Sequence, residues 1–261
     1  MPDPNLPLLE DAVCKLAPFL DEIVFVGGVT LGLLITDAAS APIRGTTDVD
    51  VIAEIVTYAD YVAFSERLRQ ADFTEDADLT CRWHHGTLTL DVMPLTPEVL
   101  GFTNTWYEPA LRHASTISLP RGQAIRVITA PFFLGTKMEA FRQRGRTDFQ
   151  ASHDLEDFVA ILEGRESILA EIAASPRQLR DYLAEAARAL LAESRFLDVL
   201  PGFVLDEARV PVIRGLLASL AASGSAQAGI NILQSMPRMR PREISSSTRR
   251  AFSAGRRLTR G

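Results

Sequence analysis

Cysteine, lysine and tryptophan are the scarcest residues of this chain, two of each among 261. Cys14 and Cys81 are too few for a disulfide framework, which excludes cysteine-stapled secreted domains and suits a reducing cytoplasm. Cys81 heads the run Cys81-Arg82-Trp83-His84-His85, but no second Cys-x-x-Cys or His-x-x-His accompanies it, so a strand explains the run better than zinc does. Long apolar runs are missing too. The longest, Ile23 to Thr36, is too short to span a bilayer and is broken by three glycines. The start, Met1-Pro2-Asp3-Pro4, is acidic and proline-rich rather than a signal peptide, so no membrane partner is expected. Neither G-x-x-x-x-G-K-[ST] nor a strand-following G-x-G-x-x-G occurs, which removes the P-loop and the dinucleotide crossover from consideration.

What is present is an acidic body with a basic end. The net charge is −6, yet 237–261 holds eight arginines against the single acid Glu243. That segment is rich in Ser, Pro and Gly and reads as disordered, either an arm that attracts RNA phosphates or a solubilising terminus. The remainder, 47% hydrophobic over the whole chain, can bury a substantial core.

Asp48 and Asp50, in Thr47-Asp48-Val49-Asp50-Val51-Ile52, carry the strongest chemical signal. Residues i and i+2 of a strand share a face, so the two carboxylates project together and repel. A hard divalent cation such as Mg²⁺, with Mn²⁺ as its substitute, would relieve them; a solvated sheet edge is the bland reading of a bare D-x-D. In Thr87-Leu88-Thr89-Leu90-Asp91-Val92 the alternation puts Asp91 on the polar face of a second strand. Alone, Asp91 reads as a strand-end cap. With Asp48 and Asp50 it completes the acid set of a metal-dependent phosphoryl-transfer site.

Other residues extend the pattern. Gly27-Gly28 ends the apolar run Ile23–Val26 where a helix-compatible stretch begins, allowing a backbone approach to phosphate, with the Thr30 hydroxyl beside it. A Gly pair at a tight strand-to-helix turn is equally ordinary. Lys137 lies on a helix, Ala130 to Arg142, and is one of two lysines against 25 arginines, a compact point charge suited to a triphosphate. Ser152 fits an N-cap, with Asp154 and Asp157 following it either as acids favoured by the helix dipole or as catalytic groups.

This order of motifs (a glycine pair, T-x-D-V-D, a strand-borne third Asp, K-x-x-A and D-x-x-D on successive helices) resembles the polymerase β-type nucleotidyltransferases. Within them it is most similar to the AbiE-type (AbiEii/MenT) toxin branch, over Ile23 to Leu162. The resemblance implies Gly27 and Gly28 as phosphate contacts, Asp48 and Asp50 as metal carboxylates and Asp91 as the acid serving the acceptor. Lys137 would contact the triphosphate, Ala140 fills the small position after it, and Asp154 matches the family's late acid. It implies an NTP substrate, a tRNA 3′ end as acceptor, and a cognate antitoxin as partner. Val29-Thr30 after the glycines, the long span from Gly28 to Asp48 and His153 beside the late acid depart from the usual pattern. A small-molecule nucleotidyltransferase, or a non-catalytic domain of the same fold, is the rival reading.

The expected fold is α+β: a mixed sheet flanked by helices (1–128), a helical bundle closing the cleft (129–223) and the basic tail (224–261). Helices are expected over Leu8 to Phe19 and Thr57 to Gln70, the latter with a Tyr61, Phe64, Leu68 stripe. Two strands within Leu79 to Pro94 should turn at His85-Gly86, and Ile117 to Val127 should form a hairpin around Pro120-Arg121-Gly122. Ala130 to about Ala222 reads as helical, with Leu179, Tyr182, Leu183, Ala186 and Leu190 on one stripe of a helix from Arg177 to Leu191.

Overall fold

A seven-stranded mixed sheet forms the centre of the computed structural model, which describes residues 3–37, 40–144 and 149–224. Its strands are β1 (Ile23–Val26), β2 (Val49–Ala53), β3 (Thr74–Glu75), β4 (Arg82–His85), β5 (Leu88–Met93), β6 (Ser115–Ser118) and β7 (Ala124–Val127), ordered β3-β4-β5-β2-β1-β7-β6. The inner strand β1 reads as an unbroken apolar run because both its faces are covered, and all four of its residues are buried. β1 runs antiparallel to β2 and parallel to β7, whereas β2 and β5 are parallel neighbours. The parallel pair needs a crossover, supplied by α3 (Tyr58–Gln70) together with β3 and β4.

Both expected hairpins form. β4 and β5 turn at Gly86 and β6 and β7 at Gly122, each glycine with positive φ. α3 begins in a capping box: the Thr57 hydroxyl accepts from Asp60 N at 3.1 Å, and the Asp60 carboxylate accepts from Thr57 N at 2.8 Å. Tyr61, Phe64 and Leu68 are its buried stripe. The first helix is shorter than its pattern: α1 covers Leu6–Lys15, and Ala17–Phe19 follows as a 3₁₀ turn around Pro18, which has no N–H to continue the ladder. Likewise the stretch after the glycines yields a 3₁₀ turn, Gly28–Thr30, and a single turn of helix, α2 (Leu31–Leu34).

Beyond the sheet the described chain is helical: α4 (Pro97–Leu100), α5 (Tyr107–Arg112), α6 (Ala130–Gln143), α7 (His153–Gly164), α8 (Ile168–Ala174), α9 (Arg177–Ala192), α10 (Ser194–Val199) and α11 (Val210–Ser223), the first two preceding β6. α6 takes Pro131 into its first turn, where no hydrogen bond is lost. Ser152 caps α7 by accepting from Leu155 N at 3.3 Å. α9 buries Leu179, Leu183, Ala186 and Leu190, while Tyr182 is half-buried and donates to Glu139 at 2.7 Å. α6 packs on α7 and α9, and α9 on α11, so sheet and helices share one core within the compact unit Met1–Ser225. The architecture is therefore α+β, a mixed sheet flanked by helices with further helices at its C-terminal side. The arginine-rich segment 237–261 lies outside the described residues.

Candidate active site

The register of two parallel strands assembles the acids. Asp50 of β2 stands directly across from Asp91 of β5, and Asp48 precedes Asp50 by two residues, on the same face. Mutual repulsion is visible in Asp50, whose carboxyl is pushed up to about 7, first by burial, then by Asp48, with Asp91 adding to it and Lys137 and Arg144 opposing. Asp48 takes a hydrogen bond from the Thr46 hydroxyl at 2.8 Å. Asp91, only 7% exposed, is held by Arg82.

Arg82 is the cation that sequence reasoning missed. Its Nε donates to Asp91 Oδ1 and its Nη2 to Asp91 Oδ2, both at 2.8 Å, and Nη2 reaches Asp48 Oδ2 at 3.3 Å. The hairpin register places it there, since β4 and β5 pair His85 with Leu88 and, three rungs on, Arg82 with Asp91. That arithmetic was available in the sequence once the turn at Gly86 was located. Asp91 in turn holds the guanidinium in its charged form. Among the described residues, no group of three or more His, Cys, Asp or Glu side chains is arranged to hold a metal ion.

Gly27 is required by two constraints. Its φ is +68°, and a Cβ there would lie 2.0 Å from Asp50 Oδ2. The turn therefore brings bare backbone against the central carboxylate. Gly28 faces Arg44 and Thr46. Thr30 is fully buried, and its hydroxyl donates to Gly27 O at 2.9 Å, so its contact in the structure is with the turn itself. Asn5, also unforeseen, staples this turn to the segment before β2: its Nδ2 donates to Gly28 O (3.3 Å) and Arg44 O (3.2 Å), and its Oδ1 accepts from Thr46 N at 2.8 Å.

A second charge cluster adjoins the acids. Lys137, on α6, lies 2.6 Å from Asp157 Oδ2 and 3.7 Å from Asp154 Oδ1, both on α7. Asp157 is wholly buried and also accepts from Arg44 Nε and Nη2, each at 3.2 Å. Asp154 accepts from Arg144 Nη1 at 2.7 Å. Glu156 Oε2, 3.9 Å from Arg44 Nε, adds a third carboxylate, so three cations are matched by three acids in a cluster beside Gly28, with Lys137 and Arg144 within electrostatic reach of Asp50. Burial pushes up the hydroxyl of Tyr107, from α5, and the charges of Asp50 and Asp154 raise it further. Arg44, Arg144 and Tyr107 carry no sequence signal, because only the tertiary fold brings them here.

The structure therefore brings Asp48, Asp50, Asp91, Gly27 and Gly28 together, and sets Lys137 and Asp154 in the adjoining cluster. No protein-family model matches this chain, and no curated protein does. Among solved structures, it is similar to the crystal structure of JHP933 from Helicobacter pylori (14% identity, 83% of this chain and 90% of that one, TM-score 0.46). It is similar also to that of a provisionally named nucleotidyltransferase from H. pylori (14% identity, 84% and 93% covered, TM-score 0.45).

Proposed function

We propose that this chain is a metal-dependent nucleotidyltransferase that moves a nucleoside monophosphate from an NTP to an acceptor hydroxyl, with release of pyrophosphate. One observation carries the reading: Asp50 on β2, with Asp48 just before that strand, lies beside Asp91 on its parallel neighbour, at the foot of a glycine turn that only glycine can make. Charge supports a cation there. Asp50 is driven toward its neutral form by burial and by its two acidic neighbours, so a divalent ion at Asp48 and Asp50 would restore its ionised state. Mg²⁺ or Mn²⁺ bound there supplies Lewis-acid neutralisation of phosphate charge.

The protein's own groups divide the remaining work. The Gly27-Gly28 turn offers backbone to the phosphates. Lys137 and Arg44, already paired by Asp157, present fixed positive charge to the triphosphate without adopting new geometry. Asp91 orients the acceptor hydroxyl, with Arg82 fixing the direction of its carboxylate. Asp154 holds Lys137 and Arg144 in place.

The acceptor we propose is the 3′ end of a tRNA, the chain acting as the toxin of a toxin–antitoxin or phage-defence pair in the cytoplasm, with an antitoxin as protein partner. The motif order from Gly27 to Asp157 and the eight arginines of 237–261 support this reading. Incubating the full chain with each α-labelled NTP, Mg²⁺ and total tRNA tests it. Label should enter tRNA with one or more NTPs and vanish in Asp48→Ala; wild type equal to Asp48→Ala with every NTP overturns the reading.

A further inference from the structure

We infer that the Arg82 guanidinium occupies the position between Asp48 and Asp91 that a second divalent cation takes in two-metal transferases, so that this chain works with a single metal held by Asp48 and Asp50. The inference rests on the function proposed above. In a two-metal site the ions lie about 3.5–4 Å apart, one stabilising the attacking oxygen and the other the leaving oxygen. Here the acceptor-side acid is joined to Asp48 by a side chain instead: Nη2 lies 2.8 Å from Asp91 Oδ2 and 3.3 Å from Asp48 Oδ2.

Three further observations agree. Both oxygens of Asp91 are engaged by one planar guanidinium, the bidentate geometry in which arginine binds carboxylate most strongly. The backbone on either side of Arg82 is pinned, with Arg82 N bonded to Leu79 O and Asp76 N bonded to Arg82 O at 2.9 Å each, so the head group is delivered from a fixed strand. Without nucleotide, three carboxylates are matched by one divalent ion and one guanidinium. With 27% of its side chain exposed, Arg82 keeps a face open toward an incoming acceptor. It thus supplies, without metal loading, the positive charge that a second ion would bring to the acceptor side.

Counting Mn²⁺ tests this. Electron paramagnetic resonance of free Mn²⁺ gives the ions bound per full-length chain in the presence of the four α,β-methylene nucleoside triphosphates, against a nucleotide-only blank. Wild type should bind one ion and Arg82→Gln two. Two ions in wild type, or one in Arg82→Gln, overturn the inference while the nucleotidyltransferase reading stands; no bound ion in wild type overturns both. If Arg82→Gln does not fold, Arg82→Met replaces it, since it too removes the positive charge between the two acids. Its count should likewise rise above one, and a count of one counts against the inference.

Discussion

Asp50 shows how one carboxylate can report the state of a whole site. Its folded value near 7 lies well above the 3.8 of an exposed aspartate, so the metal-free fold binds this proton more tightly than the unfolded chain does. Stability of the metal-free protein should therefore fall as pH rises from about 4 to about 7 and level off above that. Asp50→Asn should remove this fall and stabilise the metal-free protein at pH 8 by on the order of 4 kcal/mol, read by denaturant unfolding at pH 4 and pH 8. An unchanged pH dependence in Asp50→Asn would show that Asp50 is not the group responsible. Gly27 has the opposite sensitivity. A Cβ at φ +68°, 2.0 Å from Asp50 Oδ2, must displace the carboxylate, so Gly27→Ala should cost about 1–3 kcal/mol and abolish transfer. Full activity in Gly27→Ala would mean that the turn does not support the site.

At the scale of elements, α6 and α7 are joined through Asp157, which is buried and contacted by Lys137 and Arg44 together. Removing it leaves Lys137 with Asp154 at 3.7 Å and Arg44 with Glu156 at 3.9 Å, so Asp157→Ala should destabilise the fold by about 2–3 kcal/mol in thermal or chemical unfolding. A loss under about 1 kcal/mol would assign that pairing to the surface class of ion pairs. The same elements show what was legible in the sequence. The hairpin at Gly86, the stripe of α3, the Ser152 cap and the period of α9 follow from local alternation, and all formed. The early helix ended sooner than its pattern because Pro18 interrupts the ladder. The acids were legible because period two dictates their common face. Arg44, Asn5 and Tyr107 were not, since their partners lie 23 to 113 residues away along the chain where bonds are formed, and no spacing rule reaches that far. Arg82 lies between these cases, within a recognised strand but read for its neighbouring cysteine and histidines.

For the whole molecule, charge is divided between an acidic body and the arginines of 237–261. If the acceptor is RNA, deleting 237–261 should weaken transfer to tRNA and flatten its dependence on salt, because fewer phosphate counterions are released on binding. An unchanged salt slope would separate that segment from acceptor binding. The central claim concerns the acids themselves and the bond they break. NTP carrying label at either the α- or the γ-phosphate, incubated with tRNA and Mg²⁺, identifies that bond. The α-label should appear on the acceptor and the γ-label in released pyrophosphate, and both should be lost in Asp48→Ala, Asp50→Ala and Asp91→Ala. Transfer of the γ-label, or α-label transfer that survives all three substitutions, would contradict it.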